Sequence, residues 1–302
     1  MRSVLAVAAS LAAMAAVAAV PAAAQTPDFY QHWGDGRAEI SSYRVIQPRY
    51  GEARQGYGVL IFVTEDVNRN TYIKVESPTP EAERAYSLKL NSVLKFGTGI
   101  YDYSVMTSVF SEVEPPAGGS AFQPLRVTLT SQEWCGHVFE EVAVRDGALR
   151  GSLYSYFESE GRQRYELEQP ADLALEDHLL IRIRELRGEH LAQGEQRPVS
   201  LLPSLWEYRL RQGPRALVEG VLGKGYEQRI EVGERSFEAV PWRWEVGPRQ
   251  KMVWVEKAYP HRILAWEDSD GGRGELIETV REPYWDLKRN RDAIYRERLG
   301  LP

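Results

Sequence analysis

The sequence predicts a mainly β protein: an antiparallel sheet that curls into an open or closed barrel, with one amphipathic helix and a helical C-terminal tail. Three observations carry that prediction. Runs of β-branched and aromatic residues recur over 37–157 and again over 216–280, separated by Gly, Pro, Asn and Asp. Apolar positions within them alternate: AYSLKLNSVLKF puts Tyr86, Leu88, Leu90, Ser92 and Leu94 on one face. Helical spacing appears in one long stretch, ADLALEDHLLIRIRELRG, where Leu173, Leu179, Leu180, Ile183 and Leu186 recur between a capping Asp172 and a terminating Gly188.

Taken in order, the chain begins with Arg2, an apolar run from Val4 to Val20, Pro21 and three alanines, the pattern of a secretory signal peptide over 1–24 with cleavage before Gln25. An uncleaved anchor is the alternative, since the run approaches spanning length. The expected location is therefore outside the cytoplasm, in the periplasm, with no transmembrane segment after cleavage. RAEISSYRVI, GYGVLIFVTE, TYIKV, AYSLKLNSVLKF, IYDYSVMTSVF, LRVTLTSQEW, HVFEEVAV and LRGSLYSYF are expected strands. PPAGGS, residues 115–120, is a loop between neighbouring strands. After the helix, EHLAQGEQRP reads as a connector, and strands resume in ALVEGVL, YEQRIEV, SFEAVPWRWEV, KMVWVEKAY, RILAWED and GELIETV. Tyr259, Pro260 and His261 form the turn of a hairpin. Residues 25–283 are expected to form a single β-rich domain, with two halves joined near 171–198 as an alternative. A charged helical tail over 284–302 follows.

The formal net charge of −6 has no basic block, which argues against a nucleic-acid partner. Cys135 is the only cysteine, so no disulfide can form within the chain. Charge on both faces of RAEISSYRV and YEQRIEV disfavours a lipid-facing barrel.

HWGDGRAEISSYRVIQPRYGEARQGYGVLIFVTED, LKLNSVLKFGTGIYDYSVMTSVF and LTSQEWCGH resemble a family of exported bacterial β-rich proteins, some of whose members are labelled septum-formation inhibitors. VWVEKAYPHRILAWE and GELIETV are similar in pattern to periplasmic half-barrel domains. The resemblance implies a curled sheet and transfers no active site.

Three clusters are candidate sites. A regular strand through SQEWCGH would put Ser131, Glu133, Cys135 and His137 on one face, as a polar end to an apolar strand. Such a face suits a polar ligand pocket; Cys135 and His137 are also chemically able to hold a metal, but no second ligand pair is visible and none is expected. A buried thiol beside a bonded histidine is the plain alternative. Tyr101 and Tyr103 share a face after Gly97 and Gly99, and either line a cavity or pair across strands. Trp242 and Trp244, with Trp254 and Trp266 on neighbouring strands, read as core, or if exposed as a contact surface. Ser92 and Lys95 spell S-x-x-K, but within a strand and not at a helix start. No catalytic signature is complete and no cofactor is expected. The function expected is binding of a lipid-like small molecule or envelope component on the concave sheet; a hydrolase of envelope glycans or esters and a surface interaction module are the alternatives.

Overall fold

In the computed structural model, which describes residues 28–115 and 120–302, the alternating runs pair into one curled, unclosed sheet of 16 strands. The signal-peptide stretch lies outside the described residues. Strands β1 (Ala38–Arg49), β2 (Glu52–Asn68), β3 (Arg84–Gly97), β4 (Asp102–Glu112), β5 (Gln123–Glu133), β6 (Gly136–Arg145), β7 (Ala148–Ser155) and β8 (Arg162–Glu168) form an antiparallel meander. A second set comprises β9 (Leu173–Leu175), β10 (Gln196–Leu202), β11 (Val218–Lys224), β12 (Gln228–Val232), β13 (Arg235–Val246), β14 (Arg249–Glu256), β15 (Ile263–Asp268) and β16 (Arg273–Glu282). Pairing of β1 with β16 fuses the two sets, so the first and last strands lie side by side in mid-sheet. The sheet edges are β8 and β9, and only residues 169–172 separate them in sequence, so the chain ties one edge to the other.

Period two decides which side chains go in. Along β1, Tyr43 and Val45 join the main core while Ala38 and Ile40 pack outward; along β2, Leu60 and Phe62 go in and Val59 and Val63 go out. Leu88 and Leu90 of β3 are fully buried inside, with Tyr86 and Leu94 against them. Each such leucine or phenylalanine contributes about 1.5–3 kcal/mol by leaving water. Helix α1 (Phe29–Trp33) and the segment between β9 and β11 supply the other side of this core, the latter through α2 (Glu176–Arg182) and α3 (Leu205–Arg211). The interior is therefore plugged.

The single long helix over 171–188 is not what forms. Leu173–Leu175 is extended and pairs parallel with β10, so Asp172 caps nothing; its carboxylate instead accepts from Ser200 Oγ at 3.1 Å. The helix ends at Arg182, and Glu185 takes a left-handed φ of 47°. TYIKV makes only an isolated bridge at Lys74, while β8, β10 and α3 form where none was expected. The expected helical tail forms, in short pieces and not as one helix. It contains short 3-10 turns and α4 (Ile294–Arg298), and Leu299 seals the outer patch of Ala38, Ile40, Val59 and Val63 while its carbonyl accepts from Ser42 Oγ at 2.6 Å. The hairpin turn at 259–261 forms as expected between β14 and β15.

Candidate functional site

The plug is fastened to the sheet wall by buried charges. Arg184, fully buried, donates to Glu39 of β1 at 3.0 Å and to the carbonyls of Pro260 and His261 at 2.7 and 3.0 Å, with its guanidinium over the Phe62 ring at 4.2 Å. Arg215 meets both oxygens of Glu140 on β6 at 2.8 and 2.7 Å. Glu185 meets Lys224 of β11 at 2.7 Å, Glu176 meets Arg249 of β14 and accepts from Trp244 Nε1 at 3.1 Å, and Arg209 faces Glu133 at 4.0 Å. Buried pairs of this kind add little net stability, because desolvation offsets attraction, but they fix position, because a lone partner left behind is costly.

Between plug and wall lies a cavity of about 140 Å³. Val45, Leu60, Leu94 and Val105 of β1–β4 make one side apolar, joined by Leu180 of α2. Across from them stand Glu176, Asp177 and Glu207 from the two helices and Arg249, Lys251 and Asp268 from β14 and β15. Two indoles, Trp206 and Trp266, also line it, as do the exposed Asp270 and Arg273. Trp266 lies flat because its cross-strand partner is Gly274, where any side chain would overlap the ring. Trp206 is oriented by its Nε1 donating to Gln47 at 3.3 Å and by edge contact with Phe96 and Tyr103.

The charges in this wall are unevenly matched. Arg249 reaches Glu176 and Asp268, and Lys251 reaches Asp268 at 3.1 Å, so these four balance. Burial works against the Glu176 carboxylate, but Arg249, Lys251 and the bond from the Ser204 amide together outweigh it and leave the pKa lowered. Asp177 has hydrogen bonds without a cation: Oδ1 accepts from Ser204 Oγ at 2.7 Å and Oδ2 from the Leu205 amide at 3.0 Å. Burial outweighs these bonds and pushes its pKa up to about 6. Burial likewise raises Glu207, against Arg249 at 3.6 Å.

The residues singled out from sequence separate into two groups. Glu133 is buried on the inner face and Tyr103 beside it on the neighbouring strand β4, with Tyr101 half-buried. Tyr103 is bonded to Tyr50 at 2.7 Å and to Arg49 at 3.2 Å, and Tyr101 to Tyr50 at 3.4 Å. Burial and the Tyr50 bond push Tyr103 up to about 12. Cys135 and His137, however, do not join Glu133. The strand stops at Glu133, Trp134 and Cys135 make a two-residue turn, and Glu133 pairs directly with Gly136. Cys135 is therefore exposed in the turn, its amide donating to Glu133 at 2.6 Å, and His137 faces outward because buried Val138 faces in. Among the described residues no three His, Cys, Asp or Glu side chains stand together to hold a metal ion. Trp242 and Trp244 are 1% exposed, which is the core reading. Ser92 and Lys95 lie in β3, as their alternation required.

Sequence reasoning passed over Asp177, Glu207, Arg249 and Lys251. Their only signal was charge within otherwise apolar runs, such as Glu176 and Asp177 ahead of Leu179 and Leu180. A second overlooked pair is Ser111 and His178, bonded at 2.8 Å between β4 and α2. Burial and Arg182 hold His178 well below the usual histidine range, and Ser111 is wholly buried, so the pair joins helix to wall behind a second cavity of about 390 Å³ that His178 lines with Arg182 and His190. No known family, curated protein or solved structure matches the chain.

Proposed function

We propose that this chain is an exported, periplasmic binding protein that holds a small amphipathic molecule between the plug and the sheet wall. The observation that supports this reading is the split lining of the interior cavity, apolar along Val45, Leu60, Leu94 and Val105 and charged along α2, α3 and β14. Polar groups converging opposite an apolar wall are the usual mark of a ligand site. Its volume of about 140 Å³ sets the scale of the occupant. An apolar cavity of about 150 Å³ accommodates benzene, so the buried part of the ligand is a ring or short chain and not a whole acyl tail.

A hydrolase would need a free acid or base in this cleft. Asp177 has the raised pKa such a role needs, but both its oxygens are occupied in capping α3, which favours binding over turnover. Native mass spectrometry of protein purified from its own envelope tests the proposal. A small adduct mass, absent from a Val105→Trp variant that fills the cavity, is the expected result; bare chain in every preparation overturns it. Export is tested by the mature N-terminus, expected at Gln25 in the periplasmic fraction.

A different observation favours a surface role for the rim. The β1–β2, β3–β4, β5–β6 and β7–β8 connections turn at one end of the meander, and each carries an exposed apolar side chain: Tyr50, Ile100, Trp134 and Tyr156. Replacing Ile100 and Trp134 with serine while retaining cavity binding would separate the two roles.

A further inference from the structure

We infer that the occupant of the interior cavity is an organic cation, a protonated or quaternary amine carrying a small apolar body. The inference rests on the binding reading above and names the ligand's charge. The lining carries five carboxylates, Glu176, Asp177, Glu207, Asp268 and Asp270, against three cations; Arg249 already has Glu176, Asp268 and Glu207, Lys251 has Asp268, and Arg273 stands exposed beside Asp270. An incoming anion would have to compete with those carboxylates for Arg249 or Lys251. The reverse does not hold. Asp177 meets only a hydroxyl and an amide, and Glu207 shares Arg249 at 3.6 Å and otherwise bonds Arg211, whose side chain is 57% exposed. In a low-dielectric wall an unmatched carboxylate is a standing cost that a bound cation removes.

The two indoles point the same way. Trp206 and Trp266 line the same cavity as Asp177 and Glu207, and Trp faces are the strongest aromatic partners for an ammonium group. Opposite them the aliphatic wall of Val45, Leu60, Leu94 and Val105 takes the apolar body. An anionic amphiphile would find the same apolar wall but would face indole π-density and unpaired carboxylate.

Three probes of similar size separate the possibilities on the mature protein: benzyltrimethylammonium, benzyl alcohol and phenylacetate, each titrated by calorimetry. The inference expects benzyltrimethylammonium to bind at least about tenfold more tightly than phenylacetate. The preference should shrink severalfold in Asp177→Asn and in Trp266→Leu. Glu207→Gln, at a site that caps no helix, is expected to show a smaller loss and guards against a folding defect in the first variant. Equal or tighter binding of phenylacetate overturns the inference and leaves the cavity reading standing. Failure of all three probes to bind overturns both.

Discussion

The N-terminal meander and the plug inside it are built on opposite principles. In β1–β8 each strand is neighbour to the next, register is carried by long backbone ladders, and every second side chain enters an apolar core. Residues 176–217 contain two seven-residue helices, too short to be stable alone, on either side of the short strand β10; beyond the pairing of β10 with β9 and β11, they are held at separate points by Arg184, Glu185, Arg209 and Arg215 against single wall residues. A wall stabilised by many interchangeable contacts tolerates a loss at any one of them. A plug positioned by a few buried charges does not, and the space it leaves against the wall depends on where those charges place it.

The sharpest test of that contrast is Arg184→Ala. Glu39 would be left buried without its partner, and the two carbonyls without a donor, so a loss of about 3–5 kcal/mol is expected in denaturant melts. A double change to Glu39→Leu with Arg184→Met should recover much of it, since no lone charge remains. Leu129→Ala, fully buried in β5, should cost about 2–4 kcal/mol by leaving a void, without moving the plug or the ligand affinity.

Asp177 gives a smaller, pH-dependent effect. Its folded pKa of about 6 exceeds the reference value of 3.8, so folding favours its protonated form. The stability this supplies is complete below about pH 4 and is lost as pH rises through about 6. Relative to Asp177→Asn, the parent protein should lose about 2 kcal/mol between pH 4 and pH 7. Equal pH profiles for the two would contradict the assigned environment. Cys135→Ser and His137→Ala, both at exposed positions, should change stability by no more than about 0.5 kcal/mol.

The same contrast explains what could be read from sequence. The meander was legible because period two is a local signal: Leu88 and Leu90 announce their face without knowledge of any partner. The curled sheet and the turn at 259–261 followed from the same signal. The plug was not legible, because Leu173, Leu179, Leu180, Ile183 and Leu186 have helical spacing while their backbone is divided among a strand, a short helix and a bend. What stops α2 at Arg182 is non-local, namely the reach of Arg184 to Glu39, 145 positions away. For the site, Glu133 and the pair Tyr101 and Tyr103 were named as separate clusters, and it is the pairing of β4 with β5 that brings them to one rim. Cys135 and His137 were assigned the wrong facing because one tight turn at Trp134 resets the alternation. The cavity acids went unnoticed, since a carboxylate beside apolar residues reads as a solvated face until the opposing wall is known.

The most direct measurement of the central claim is intermolecular NOE spectroscopy of the mature protein with a bound small amphiphile. Contacts from its apolar protons to Leu94, Val105 and the Trp266 ring are predicted. Contacts confined to Tyr50, Ile100 and Trp134 on the outer rim would contradict an interior site.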